Sequence, residues 1–248
     1  MPELARYDSS EELAAAVAQR FVATVAAAID ERGRAAIALT AGSIMEKVWA
    51  QLADTAGSLD WSRIDVFWGD ERFVPSDSSD RNDLPAEKIL FATAPFSGAT
   101  RYSMPPAGGE FGEDLDAAAA AYADTLRAAR RSSDDGEVPS FDVALIGIGP
   151  DGHCCSLFPD HPSARDLSAS VIAVRDSPKP PPLRLSLSFD ALNTADNVWV
   201  VASGDGKAGA VAAALAPDVS REHVPSAGAI GQRSTIWWVD AAAAAQLG

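Results

Sequence analysis

Asp151 and His153 stand two residues apart, just after the turn-forming run Gly147-Ile148-Gly149-Pro150. An imidazole exchanges protons with water near neutral pH, and a neighbouring carboxylate can orient or charge it. A second polar group, Asp70-Glu71-Arg72, follows Gly69. Three charged residues directly after a buried strand are costly to place unless paired, so an internal Asp70–Arg72 or Glu71–Arg72 ion pair competes with a functional reading. Thr40-Ala41-Gly42-Ser43 leads into a helix, where small residues expose backbone N–H groups to an anion and Thr40 and Ser43 add hydroxyl donors. Lys207, Arg184 and Lys179 supply cations. Hydroxyls, N–H groups, cations and an Asp–His pair together suit proton transfer on a small phosphorylated substrate.

Several other readings of the same residues carry less. Gly147-x-Gly149-x-x-Gly152 matches a dinucleotide fingerprint in form. That motif needs a full helix after its third glycine and a ribose-binding acid about 20 residues on. Asp166 and Asp176 lie near that distance, but Pro159 and Pro162 leave room for barely a turn or two of helix. Cys154 as a nucleophile beside His153 is disfavoured, because neighbouring side chains point apart and no adjacent base lowers the thiol. His161 and His223 are isolated and lack metal-ligand spacing, so no metal site is expected. Ser203-Gly204-Asp205-Gly206-Lys207 lacks the spacing of a nucleotide P-loop.

The elements that must position these residues alternate along the chain. A capping box, Ser9-x-x-Glu12, opens a helix to about Ile29 whose Leu13, Val17, Phe21, Val25 and Ile29 form one apolar face. Ala35–Leu39 reads as a strand, 44–52 as a helix and Ile64–Trp68 as the next strand. A helix is expected around 85–90 and another over 117–131. Phe141–Ile148 is short, apolar and without alternation, the pattern of a strand buried on both faces of a parallel sheet. Val171–Arg175, 185–189, Val198–Ala202 and Thr235–Val239 read as strands, with Asp240 capping a terminal alanine helix. Ser177–Arg184 holds four prolines and two cations, either a solvated linker or a rigid strap presenting Arg184 and Lys179 to an anion. Strands alternating with helices argue for an α/β, doubly wound, mainly parallel sheet flanked by helices. Right-handed crossovers place Thr40–Ser43, Gly69–Arg72, Gly147–His153 and Ser203–Lys207 on one rim.

The chain has 248 residues, enough for one large α/β domain or two small ones. Lys and Arg number 20 against 35 acids, a net charge of −15, so nucleic acid and anionic membrane are poor partners. Two adjacent cysteines give neither a disulfide framework nor a zinc motif. No apolar run approaches 18 residues and Met1-Pro2-Glu3 lacks a basic start, so a cytoplasmic location is expected.

Three blocks of the sequence resemble the signatures of the 6-phosphogluconolactonase family. They are Phe67-Trp68-Gly69-Asp70-Glu71-Arg72-Phe73-Val74-Pro75, Gly149-Pro150-Asp151-Gly152-His153 with Ser156-Leu157-Phe158-Pro159, and Asp176-Ser177-Pro178-Lys179-Pro180-Pro181-Pro182. Ala191-Leu192-Asn193 and Gly206-Lys207-Ala208 also fit. The resemblance runs from about residue 8 to 246, and one domain over 1–248 is expected. It implies hydrolysis of 6-phospho-D-glucono-1,5-lactone to 6-phosphogluconate in the oxidative pentose phosphate pathway, without a cofactor. It also implies a modified Rossmann-like fold related to glucosamine-6-phosphate deaminase and ribose-5-phosphate isomerase, in a monomer or small homo-oligomer.

With that substrate, Gly42 and Ser43 hold the phosphate with Arg184, Lys207 and Lys179. His153, oriented by Asp151 or a nearby carbonyl, takes a proton from the attacking water, and backbone N–H groups or Arg72 stabilise the oxyanion. An amino-sugar phosphate isomerase or deaminase is the alternative, with Asp70 moving protons between sugar carbons. In that chemistry a carboxylate follows the histidine by five residues, where Phe158 stands here. A non-catalytic sugar-phosphate sensor is a further alternative. Two departures from the family pattern stand out. Thr40-Ala41-Gly42-Ser43-Ile44-Met45 replaces a loop that usually reads Ser-Gly-Gly-Ser-Thr-Pro, so Ala41 is strained by about 1 kcal/mol or more if its site needs positive φ. Cys154-Cys155 replaces the usual Thr-Ala.

Overall fold

A computed structural model of the chain describes residues 2–132, 134, 136–165 and 169–247. Its strands are β1 (Glu3–Tyr7), β2 (Ala35–Leu39), β3 (Ile64–Trp68), β4 (Asp70–Arg72), β5 (Thr100–Tyr102), β6 (Val143–Gly147), β7 (Val171–Val174), β8 (Arg184–Leu187), β9 (Asn197–Ala202) and β10 (Ser234–Asp240). The α-helices are α1 (Ser10–Arg32), α2 (Ser43–Thr55), α3 (Asp83–Ala86), α4 (Leu115–Ala128), α5 (Phe189–Leu192) and α6 (Ala208–Ala214). Seven strands form a parallel sheet in the order β1-β10-β9-β6-β2-β3-β5. The other three make a small antiparallel sheet, β4-β8-β7.

Apolar residues fill β2 and β6 because both strands are covered on both faces; every residue of β2 is buried. β2 pairs with β3 on one side and β6 on the other, so the chain reverses its winding there. The ladder between β2 and β6 ends at their carboxyl ends, which opens a crevice at the topological switch point.

Helix α1 starts at Ser9, whose hydroxyl accepts from Glu12 N at 3.2 Å, and stops at Gly33 in the left-handed region. Only half of the expected capping box forms, since the Glu12 carboxylate accepts from Asp8 N and not from Ser9 N. α1 is long and apolar enough to cross a membrane. Here Leu13, Val17, Phe21 and Val25 are fully buried in the core, and the helix packs on α2 and the sheet.

The structure departs from the sequence-based expectations in several elements. β1 carries charged, weakly β-forming residues yet adds to the edge of the sheet, where Tyr7 stacks on Trp238 at 6.0 Å. β4 is three charged residues long, and cross-strand pairing with β8 holds it rather than any apolar pattern. The segment expected as a helix around 85–90 is α3 followed by a π-helical turn at Glu87–Phe91. The terminal alanines form turns and not a helix, although Asp240 Oδ1 does accept from Ala243 N at 2.8 Å.

Opposite the crevice, at the amino end of β6, Asp142 is buried and ties three elements together. Oδ2 accepts from Ala36 N at 2.7 Å and Arg131 Nη1 at 3.3 Å, and Oδ1 pairs with Arg32. Asp142→Ala leaves two cations and one N–H without their partner. Both arginines keep some contact with water, so the expected loss is about 2–3 kcal/mol, below that of a fully buried pair. Urea unfolding measures this, and the activity of the folded protein should be unchanged because the crevice lies at the far end of the sheet.

Candidate active site

Beyond β6 the chain makes a tight turn that only glycine permits. Gly149 N donates to His153 O at 2.8 Å and Gly152 N to Gly149 O at 3.0 Å, with Gly152 at φ 88°. A Cβ on Gly149 would fall on His153 Nδ1 and Asp151 Oδ1. The missing side chain is what lets the two functional groups fold back against the turn. There His153 Nδ1 meets Asp151 Oδ1 at 2.5 Å, which leaves Nε2 for water or substrate. Lys179 Nζ joins them, 3.2 Å from Asp151 Oδ1 and 3.3 Å from His153 Nδ1. Partial burial raises the Asp151 carboxyl, but the hydrogen bond and charge of His153, with Lys179, outweigh it and hold the group well below the usual carboxylate range.

Four loops and the proline strap enclose a cavity of about 330 Å³, and Thr40–Ser43, Asp70, Arg72, Gly147–Pro150, His153, Ser203 and Lys207 all line it. The shared rim expected for these segments is therefore present. Thr40 is buried and its hydroxyl accepts from Gly147 N at 3.0 Å, closing the gap between the diverging ends of β2 and β6. Gly42 and Ser43, both exposed, form the open N-terminus of the 13-residue α2. Gly42 has φ 144° and Ala41 keeps a negative φ, so the strain expected at Ala41 does not arise. The glycine-demanding position is the next one along.

Arg184 and Lys207 are committed more tightly than their sequence positions suggest. Arg184 is buried, donates Nε to Pro181 O at 3.2 Å, and donates Nη2 to Lys179 O at 3.0 Å and Pro180 O at 3.2 Å. It clamps the strap, and Nη1 is the nitrogen left for a ligand. Burial lowers its pKa, Asp70 opposes this, and Arg72, its cross-strand partner, adds to it. Lys207 Nζ donates to Ile148 O at 2.7 Å, with its pKa lowered by burial and by Lys179. Lys179, expected to bind substrate or phosphate, lines the same cavity and rests against the Asp–His pair.

Asp70 and Arg72 face the cavity from β4 and form no internal ion pair. Asp70 Oδ2 accepts from Ser156 Oγ at 2.7 Å, and Arg72 Nη1 donates to Asp80 O at 2.6 Å. Glu71 pairs with Arg81 at 3.4 Å, away from Arg72. Ser156 stands in one of the family-like blocks, but its contact with Asp70 escaped the sequence reading, as did the cavity-lining Asn82; hydrogen bonds across the fold bring them in.

The competing readings have no support in the geometry. Turns follow Gly152, with no helix before the short 3₁₀ turn at Pro162–Ala164, and Asp166 lies outside the described residues. Cys154 is fully buried, and a hydrogen bond from Cys154 and burial push the Cys155 thiol far up, which suits inert packing. His161 bonds Ser163 and Arg175 O, and His223 pairs with Asp160. No group able to hold a metal ion occurs among the described residues.

Residues 8–238 match the family described as glucosamine-6-phosphate isomerases/6-phosphogluconolactonase. A 6-phosphogluconolactonase of Streptomyces coelicolor is 42% identical over 248 residues, covering 99% of this chain and 95% of its own. That of Mycobacterium tuberculosis is 42% identical over 243 residues, covering 97% and 96%. The solved structure of 6-phosphogluconolactonase from Trypanosoma brucei superimposes with a TM-score of 0.85 at 28% identity, over 100% of this chain and 99% of that one.

Two outcomes test the geometry. Gly149→Ala should displace His153 and Asp151 and abolish activity, while a thermal melt shows the sheet still folded. Asp151→Asn should be less stable than the parent at neutral pH. A carboxyl whose folded pKa is depressed stabilises above its unfolded value near 3.8 and stops doing so as pH falls through the folded value. The stability gap between the two proteins should therefore begin to narrow below pH about 4 and continue to shrink as the solution becomes more acidic.

Proposed function

The chain belongs to the glucosamine-6-phosphate isomerase/6-phosphogluconolactonase family, and we propose that one domain spanning it hydrolyses 6-phospho-D-glucono-1,5-lactone with His153 as the base. The observation that carries the mechanism is the His153–Asp151 contact at the wall of a cation-lined cavity. Asp151 on Nδ1 fixes the tautomer in which Nε2 accepts. Water at Nε2 gives up a proton as its oxygen attacks C1, and the carbonyl pair moves onto oxygen. Arg72 receives that negative charge, since Gly147 N and Gly149 N already donate to the Thr40 hydroxyl and to His153 O. The tetrahedral centre collapses, the bond from C1 to the ring oxygen breaks, and the imidazolium protonates the leaving oxygen. The products are one carboxylic acid, which ionises, and one hydroxyl, so atoms and protons balance.

At the other end, the phosphate lies on the N–H groups of Gly42 and Ser43 with Lys207 and Arg184 Nη1, and Thr40 and Ala41 shape the wall. Asp70, held by Ser156, accepts from a sugar hydroxyl. Lys179 keeps Asp151 charged and stays within reach of the substrate. Phe158 supports hydrolysis over isomerisation. It is an apolar ring, fully buried, 4.9 Å from the His153 ring, where the isomerase chemistry would need a carboxylate. A free sugar phosphate as substrate supports a cytoplasmic location.

Acid release from freshly generated lactone should be faster with the protein than without it, and glucosamine 6-phosphate should release no ammonia. Equal efficiency on the amino sugar would overturn the reading. His153→Asn should lower kcat about 10²–10⁴-fold with little change in KM. Asp151→Asn should lower it less, because Asp151 acts through the ring. Near-parental kcat in His153→Asn beside an inactive Asp151→Asn would make Asp151 the base.

A further inference from the structure

On the reverse face of β4 lies a buried charge network that the hydrolytic steps above do not use. Successive strand residues point to opposite faces, so Asp70 and Arg72 line the cavity while Glu71 turns inward. Glu71 is fully buried. Its Oε1 accepts from Arg72 N at 2.7 Å and Asn82 N at 2.6 Å, and its Oε2 from Asp83 N at 3.1 Å with Arg81 Nη2 at 3.4 Å. Arg81, also buried, is forked onto Asp83 at 3.0 and 2.8 Å and donates to Met104 O at 2.9 Å.

Between Arg72 and Asn82 the chain has no regular secondary structure, and the tip is mostly exposed from Pro75 to Asp80. Two contacts from this segment reach the active site. Asp80 O accepts from Arg72 Nη1 at 2.6 Å, and Asn82 Nδ2 donates to Asp70 O at 3.0 Å. Both depend on where the segment returns to the fold, and the Glu71 carboxylate is the group that collects that return.

We propose that Glu71 is a positioning residue, which by gathering the N–H groups of Asn82 and Asp83 and pairing with Arg81 holds the segment whose Asp80 carbonyl fixes Arg72 in the cavity wall. A buried carboxylate is a poor stability device, since desolvation offsets the attraction of its partners. Burial pushes Glu71 up to about 7 against the pull of Arg81 and the Asn82 N–H. A neutral side chain of similar size would be easier to bury. What the carboxylate supplies is four convergent acceptor contacts, and these set the direction of a segment that has no ladder of its own.

The inference rests on the lactonase reading, and the test keeps the two apart. If the parent protein fails to hydrolyse the lactone, the functional reading fails and the cycle below cannot start. With an active parent, kcat and KM are measured for Glu71→Gln, Arg72→Ala and the double variant, each referred to folded protein. Glu71→Gln should lower kcat/KM about 10–100-fold, within the span of coupled neighbours, and should add little to Arg72→Ala. A role in stability alone would lower Tm but leave kcat/KM of the folded fraction intact. Losses that multiply in the double variant would overturn the proposal, as would an unchanged kcat/KM in Glu71→Gln. If Glu71→Gln does not fold, Arg81→Lys loosens one of the same contacts and keeps the charge. It should lower kcat/KM in the parent and not in the Arg72→Ala background; an equal effect in both backgrounds would refute it.

Discussion

β2 and β6 lie side by side through the core and then separate, and the cavity exists because their ladder cannot continue past that point. Separation leaves Gly147 N without a strand partner at the mouth of the crevice. The Thr40 hydroxyl takes that donor at 3.0 Å, while Gly69 N closes onto Leu39 O at 2.7 Å and Thr40 N onto Leu145 O at 3.2 Å. A buried N–H left unpaired would be costly, so the two loops are stitched together where they diverge. Three of the functional segments described above hang from strand ends fixed by this stitching. The α2 N-terminus follows β2, the Asp–His turn follows β6, and β4 continues directly from β3.

Electrostatics then select the kind of molecule that enters. The protein carries a net charge of −15, yet Arg72, Lys179, Arg184 and Lys207 meet Asp70 and His153 in one small cavity. Such a pocket in an acidic surface focuses potential on small anions and disfavours polyanions that must approach the whole face. Three of the cations already hold backbone carbonyls, Arg184 three of the strap, Lys207 that of Ile148 and Arg72 that of Asp80. They are oriented before any phosphate arrives, and this limits the reorganisation that binding requires.

The central sheet was legible in the sequence because strands buried on both faces must be continuously apolar, as β2, β6 and β9 are. The Asp151–His153 pair was legible for a different reason: glycines around it mark a backbone that has to fold tightly. β4 was not, since its three residues are all charged and antiparallel pairing with β8 alone makes it a strand. Lys179 could be recognised as a cation on a stiff strap, but its place beside Asp151 depends on the Arg184 clamp, which periodicity does not encode. Ser156 reaches Asp70 across 86 positions of the chain, and no local pattern reports a contact of that range.

The strap itself bears on how much order the site requires. Pro178, Pro180, Pro181 and Pro182 have φ fixed by their rings, and Lys179 precedes a proline, so its own backbone is confined to extended conformations. Those restrictions narrow the conformations open to the unfolded strap, so less backbone entropy is lost on ordering it. Lys is among the side chains that lose most rotamer freedom when immobilised, and here that loss is borne at folding, with the ammonium donating to Asp151 Oδ1 beside the His153 ring. Substrate thus meets a lysine that is already still.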